Sequence, residues 1–374
     1  PNDALIKDIL SLEMNESLFD EQEHIIAFRS GNFKDSVDCQ KSYTDVAFTH
    51  VQNLWDIFSK NAIELEADFE LITQGRTSQK ANATNNILGE ENLFIEEGAV
   101  LNCAIINASN GPVYIGKDAE VMEGSIIRGP FALCEASQTK LGAKIYGPTT
   151  VGPNSKVGGE LNNVVIFGYS NKGHDGFLGN SVLGEWCNIG ADSNNSNLKN
   201  NYAEVRLWNY ASGRFAHTGL QFCGLIMADH SKCGINTMFN TGTVVGVCAN
   251  IFGTGFPRNF IPSFSWGGPQ GQSTFMISKA FEVSEKVMAR RNVIFDENNI
   301  FGVSSSSYDD NDSMDTPEPP PAPGNWISGY FYHPEWDSIF GDKFTQDYKS
   351  NEFIILKYLK KILLHFLSHP QYFL

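Results

Sequence analysis

The sequence predicts a mainly β chain built as a solenoid of six-residue repeats, on three observations. Stepping by six from Ile115 gives Ile115, Val121, Ile127, Leu133, Thr139, Ile145, Val151 and Val157, aliphatic at every step but Thr139. The residue four beyond each of the first seven is Ala119, Ser125, Phe131, Ser137, Ala143, Thr149 or Ser155, small except for Phe131. A period of six fits neither an amphipathic helix nor simple strand alternation. It is the hexapeptide form of a β-solenoid. Each hexad is a short strand and a turn, and three hexads close a triangular coil. The aliphatic residue points inward, and the small one sits at the tight corner. One coil cannot bury its own inner face, so stacking of coils supplies the core.

The period breaks after Val157 and resumes two residues late as Val165, Asn171, Phe177, Leu183 and Ile189, with Ser181, Cys187 and Ser193 at the small position. It breaks again and returns as Cys233, Phe239, Val245 and Ile251, with Thr237, Thr243, Ala249 and Gly255. Phase breaks are expected where loops leave the coil, and loops on a rigid scaffold carry function. Residues 198–221 are therefore the first place to look. The stretch from Tyr202 to Phe215 reads as a protruding hairpin, either functional or an exposed structural loop.

The remaining elements follow in order. Residues 23–29 read as a strand ending in a Gly31-Asn32 turn. Residues 45–71 read as helical, with Val51, Leu54, Trp55 and Phe58 on one face and Gly75 as the stop. Residues 1–80 thus look like the tail of a larger domain plus a linking helix. Residues 93–95 and 104–106 are strand-like and start or cap a solenoid spanning 81–270. The aromatic, Pro- and Gly-rich run 256–268 reads as packing at the solenoid's exit. Within 271–303, Ser273 or Thr274 is expected to cap a helix running to Arg291. Its inner face is read as Ile277, Phe281, Ser284, Val287 and Met288. Lys286, Arg290 and Arg291 gather at its C-terminal end, where the helix dipole favours cations. Residues 304–324 are acidic and Pro-rich, the composition of a disordered linker. Residues 325–374 carry no assignable role.

The bulk numbers bound the function. The chain has 374 residues and a formal net charge of −16. An acidic chain without basic blocks is a poor nucleic-acid binder. Seven cysteines without a C-x-x-C pair or zinc spacing read as reduced thiols of a cytoplasmic protein. No apolar run reaches membrane-span length. The first residues, PNDALIKDIL, lack the basic start and apolar run of a signal peptide. They also lack an initiator Met, so the chain is expected to be processed, trimmed or a fragment.

Three groups of residues suggest chemistry. His174 lies just after the first phase break, flanked by Gly173 and Gly176. An imidazole with an ordinary pKa near 6.5 suits a general base, although a lone His is more often structural. Asn188, Asn194, Asn195, Asn197, Asn200 and Asn201 crowd the next stretch. They serve as corner residues that tolerate left-handed backbone, as ladders stacked at solenoid corners, or as amide donors to an oxyanion. His174, His217 and His230 are the histidines available to an intersubunit metal, but without ligand-like spacing no metal is expected.

Lys172-Gly-His-Asp-Gly-Phe-Leu-Gly179, Leu183-Gly-Glu-Trp-Cys-Asn-Ile-Gly-Ala191 and Asn194-Asn-Ser-Asn197 resemble the acetyltransferase half of the bifunctional N-acetylglucosamine-1-phosphate uridyltransferase/glucosamine-1-phosphate acetyltransferase family. Residues 1 to about 300 resemble its GlmU-like sugar nucleotidyltransferase branch more narrowly. That likeness extends to Phe69-Glu-Leu-Ile-Thr-Gln-Gly75. The resemblance implies a left-handed parallel β-helix, preceded by the remnant of an α/β nucleotidyltransferase domain and followed by a C-terminal helix. It implies a homotrimer with the acyl-CoA groove between subunits. It also implies a missing Gly-rich phosphate loop upstream of Pro1, with Mg needed only there. The tail beyond Val303 matches nothing in the family.

Carried over by position, the resemblance makes His174 the general base that takes a proton from a sugar amine attacking acetyl-CoA. Asn197 falls beside the developing oxyanion. Glu160, Asn188 and Lys144 fall on sugar or sugar-phosphate contacts. Phe177 stands where the family's Tyr contacts substrate. Arg290 and Arg291 are placed to meet CoA phosphates by charge. Asn162 stands where a Lys binds phosphate, and Ile235 where a Ser meets the acetyl group. The expected activity is an acyl-CoA-dependent N-acyltransferase on an amino-sugar phosphate, within a bifunctional enzyme of nucleotide-sugar synthesis. The alternative is a sugar-1-phosphate nucleotidyltransferase whose solenoid only oligomerises or regulates.

Overall fold

The computed structural model describes residues 3–29, 40–210 and 212–295. They form two compact units that part between Val51 and Gln52. The expectations for 304–324 and 325–374 fall outside the described residues.

The first unit has helix α1 (Asp3–Ser11) and a three-stranded sheet. Strand Glu16–Phe19 is central, antiparallel to Ile25–Arg29 and parallel to Gln40–Tyr43. The strand expected at 23–29 is therefore present, beginning at Ile25.

The second unit is a parallel solenoid with three faces. The first face runs through Ile105–Asn107, Ile126–Arg128 and Lys144–Tyr146 into the opening halves of Glu160–Ile166 and Phe177–Leu183. The second runs through Val113–Ile115, Phe131–Leu133 and Thr149–Val151, the closing halves of those two strands, then Leu225–Met227, Thr243–Val245 and Phe260–Ile261. The third face is a ten-stranded sheet, parallel except for its last strand, Gly271–Thr274, which turns back antiparallel. Residues of the first register, from Ile115 to Val157, are all at most 1 % exposed and stack as predicted. Asp118, Ala136 and Asn154 turn the same corner one coil apart, with φ of 56°, 53° and 57°.

The second register needs correction. Its inward residues are Leu161, Ile166, Lys172, Leu178, Leu183 and Ile189. Val165, Asn171 and Phe177, read as inward, point outward. No loop leaves at the first break. The corner after Val157 tightens instead, and Glu160–Ile166 crosses from the first face to the second as one strand, turned by Asn163 at φ 55°. A corner shortened by one or two residues shifts the side-chain phase without ending the stack.

The second break is a true excursion, and it does not protrude. Strands Arg206–Asn209 and Arg214–His217 form an antiparallel hairpin. It folds back onto the outer side of the second face, where Val205, Leu207, Cys223, Ile226 and Val244 share an apolar cluster with Val165 and Val182. Trp208 stacks on Phe260 at 4.2 Å. The cause lies in the face itself: its outward residues are apolar and need a cover.

Helix α2 (Asp56–Ser59) covers the same surface, with Phe58 buried in the cluster and Leu54 and Trp55 against it. Helix α3 (Asn61–Thr73) follows. Asn61 ties it to the solenoid, donating to the Pro148 carbonyl at 3.0 Å and accepting from Thr150 at 2.9 Å. Helix therefore starts at Asp56 rather than at residue 45; the Asp56 carboxylate takes the amides of Gln52 and Asn53 and sets that start. Gly75, with φ 71°, stops α3 as expected.

Helix α4 (Ile277–Ala289) is the last helix of the described residues. Ser273 and Thr274 do not cap it; they pair with Trp266 and Ser265 in the antiparallel strand, and the helix begins after Met276. Its buried stripe is Ala280, Ser284 and Met288, so the predicted face is rotated toward Ala280.

Candidate functional site

His174 stands on the edge between the third and first faces, in the turn joining Asn171–Lys172 to Phe177–Leu183. It is exposed. Gly176 completes the turn with φ 113°, and a Cβ there would lie 2.1 Å from the Ser193 carbonyl oxygen, so only glycine fits.

The turn is anchored from inside the solenoid. Lys172 occupies a stacked interior slot and is only 1 % exposed. Its ammonium donates to the carbonyls of His174, Asp175 and Gly158. Burial pushes its pKa down to about 8, against a weaker upward pull from Asp175. The sequence reading missed this residue because it placed Asn171 inward; the slip of one residue hid the lysine.

Past His174, the first face presents an outward column on successive coils: Lys144, Glu160, Phe177. The Lys144 ammonium lies 3.8 Å from one Glu160 oxygen, and the Tyr146 hydroxyl donates to the other at 2.7 Å. That hydrogen bond to a carboxylate raises the Tyr146 pKa. Both Lys144 and Glu160 remain accessible to a ligand. Phe177 and the Asn197 amide converge over Gly179, where an added Cβ would meet the ring at 2.5 Å and the amide nitrogen at 2.8 Å. Asn197 is held by donation to Asn180 at 2.8 Å. Asn162 pairs with Tyr146 and Gly179 in the neighbouring column of the same face.

Asn194 and Asn195 bridge two coils by side chain. Asn194 Oδ1 accepts from the Phe177 amide at 2.8 Å. Asn195, buried, accepts from the Gly179 amide at 2.8 Å and donates to its carbonyl at 3.0 Å. Strand Asn194–Asn195 pairs by backbone only with Met238–Phe239, so these amides close the coil gap beneath Phe177.

Asn188 lies on the third face, paired with Asn171 and Lys232, around the edge from the Glu160 column. That face also receives the end of α4. Lys156, on its outward side, has its pKa lowered by partial burial and then by the charges of Arg291, Lys140 and Arg290. Arg290, Arg291 and Lys140 are thus near enough for their charges to act on Lys156, and the Glu120 carboxylate acts on it in the opposite sense. Lys140 and Lys156 were not anticipated, since only folding brings them beside α4. The structure groups Lys144, Glu160, Phe177 and Asn197 on one face and sets His174 at its edge. Asn188, Arg290 and Arg291 belong to the adjacent face.

The three histidines considered for a metal are apart. His217 pairs with Glu204 at 3.1 Å in the hairpin, and His230 stacks on Trp186 at 6.0 Å in a corner of the solenoid. Ile235, 69 % exposed, lies on the turn that follows Cys233.

Fold and site together define a hexapeptide solenoid with a polar edge, and comparison with known proteins adds two transferase signals. Residues 1–77 match the family model described as sugar nucleotidyl transferase. A bifunctional sugar-1-phosphate nucleotidylyltransferase/acetyltransferase of Sulfurisphaera tokodaii is 26 % identical over 144 residues, covering 38 % of this chain and 35 % of that protein. The chain thus spans about a third of the length of the curated relative it matches. Among solved structures, a UDP-N-acetylglucosamine acyltransferase from Campylobacter jejuni is similar at 14 % identity and a TM-score of 0.25, over 59 % of this chain and 80 % of that one. The Arabidopsis UDP-N-acetylglucosamine acyltransferase is similar at 15 % identity and a TM-score of 0.22, over 61 % of this chain and 85 % of that one. No helix among the described residues is long and apolar enough to cross a membrane.

Proposed function

We propose that the solenoid is an acyl-CoA-dependent N-acyltransferase acting on an amino-sugar phosphate, within a protein that also forms nucleotide sugars. One observation carries this reading. His174 stands on the edge between a face bearing Lys144, Glu160 and Phe177 and a face where the charges of Lys140, Arg290 and Arg291 act on Lys156. The first face suits a hydroxylated, phosphorylated acceptor. The second suits the phosphates of a CoA thioester. The acceptor amine attacks the thioester carbonyl carbon while the His174 imidazole takes its proton. The oxyanion so formed is met by the Asn197 amide. It collapses with cleavage of the C–S bond, and the imidazolium returns the proton to the departing CoA thiolate. A homotrimer, with the third face of one copy opposite the first face of the next, would bring Asn188 to the same groove.

The test is thiol release from acetyl-CoA with glucosamine-1-phosphate as acceptor. Release from the wild type and none from a folded His174→Ala variant is expected; equal release from both contradicts the role of His174. The match of residues 1–77 to a sugar nucleotidyl transferase supports a second reading, in which the solenoid only scaffolds. Nucleotide-sugar formation by the full-length protein, without acetyl transfer, would favour it.

A further inference from the structure

The first compact unit carries a donor group that the acyltransferase reading does not use. Asp20 sits in the turn between strands Glu16–Phe19 and Ile25–Arg29 and is 7 % exposed. Its Oδ1 accepts from the amides of Gln22 and His24 at 2.9 and 2.7 Å, so the backbone fixes the carboxylate's direction. Its Oδ2 faces His24 Nδ1 at 2.9 Å and His50 Nδ1 at 4.0 Å. The two imidazoles meet edge to face with centroids 5.1 Å apart, and Phe48 packs against His50 at 5.9 Å. One donor atom from each of Asp20, His24 and His50 lies within 4.8 Å of the other two, the one such group among the described residues.

We propose that Asp20, His24 and His50 form a binding site for a divalent transition metal of the zinc type. A tetrahedral ion with bonds of about 2.1 Å holds neighbouring donors roughly 3.4 Å apart. The separations of 2.9 and 4.0 Å bracket that spacing, so small side-chain rotations close the group on an ion. Two imidazoles and one carboxylate select zinc, nickel or cobalt over magnesium and calcium, which take oxygen ligands. Three protein donors leave a fourth position for water or a ligand. The His24 and His50 side chains are 41 % and 34 % exposed, so that position opens to solvent. The amides on Oδ1 orient the carboxylate, as outer-shell donors do around metal sites. The sequence hid the group because His50 lies 26 residues beyond His24 (50 − 24), with no short ligand spacing.

The competing account is an Asp20–His24 ion pair that closes the turn. It needs only His24, whereas a metal also requires His50. The discriminating experiment titrates the chelator-treated full chain with Zn2+ by calorimetry and with Co2+ by visible absorption. One ion per chain is expected, with a nitrogen- and oxygen-ligated cobalt spectrum. His50→Ala and Asp20→Asn should each weaken binding at least tenfold, with the fold checked by circular dichroism. His50→Gln serves if His50→Ala fails to fold. Absence of binding, affinity unchanged by the His50 substitution, or a cobalt–thiolate spectrum from the cysteines would each overturn the site. None of these outcomes bears on acetyl transfer, so the two proposals stand or fall separately.

Discussion

The buried Lys172 ammonium donates to the backbone carbonyl of His174, tying the solenoid's core to its candidate base. An interior lysine in a column of aliphatic residues is costly. Lys172→Met removes that buried charge but also takes the donor from the Gly158, His174 and Asp175 carbonyls, so the two effects oppose each other and the melting temperature should change little. The substitution should also loosen the His174 turn and lower kcat for acetyl transfer by about 10- to 100-fold, the scale of a misplaced catalytic group. Melting curves and steady-state kinetics on the same preparation check both; a drop in stability with unchanged kcat would contradict the tether.

The same lysine gives a pH signature. Its pKa is about 8 in the fold against an ordinary 10.5. Below pH 8 both folded and unfolded chains hold the proton. Between 8 and 10.5 the unfolded chain holds a proton that the fold has released, so stability rises with pH. Relative to Lys172→Met, wild type should gain on the order of 3 kcal/mol across that window. Urea unfolding of both proteins over the window measures the gap. Comparing the two removes the opposing contribution of the buried thiols, such as Cys223, whose pKa is pushed up to about 12 by burial.

Glu160 and Lys144 should matter to binding and not to stability. Their pair at 3.8 Å is half-exposed, and such pairs contribute roughly 0–1 kcal/mol. Glu160→Gln keeps the shape and an oxygen for Tyr146 but removes the charge. The expected result is an unchanged melting temperature and a KM for the acceptor raised about tenfold, the factor that ~1.4 kcal/mol of lost binding produces. Kinetics with varied acceptor at saturating acetyl-CoA separate KM from kcat.

Asn195 is predicted to be structural. Its amide bonds both backbone groups of Gly179, and Asn195→Leu would leave the Gly179 amide buried without that partner, while the carbonyl keeps the Ser181 hydroxyl at 2.7 Å. The cost should be about 1–3 kcal/mol, while exposed Asn194→Ala should cost under ~1 kcal/mol. Equilibrium urea unfolding of the two variants tests the ranking.

The solenoid was legible where its coils are regular. From Ile115 to Val157 each corner takes the same number of residues, so a fixed step finds every inward side chain. Past Val157 the corner shortens, and left-handed Asn163 lets one strand serve two faces. A periodic reading cannot detect a change in corner length, so it put Asn171 inside and left Lys172 unnoticed. The hairpin at Arg206–His217 was legible as a hairpin but not as a cover, because its partner surface, Val165, Val182 and Val244, comes from three separate coils. His174 stands out by its flanking glycines and the phase break beside it, whereas Glu160 and Lys144 are singled out only through the family resemblance. Lys140 and Lys156 are not singled out at all, since their approach to Arg290 and Arg291 depends on where α4 folds back. Asp20 and His50 escaped for the same reason: their meeting is tertiary.

The most direct measurement is mass spectrometry of a panel of amino-sugar phosphates after incubation with acetyl-CoA and the protein, wild type beside His174→Ala. The account predicts one added acetyl group on the amine of at least one acceptor, formed by the wild type and absent with the variant. A well-folded protein that acetylates none of them, or acetylates equally without His174, would contradict it.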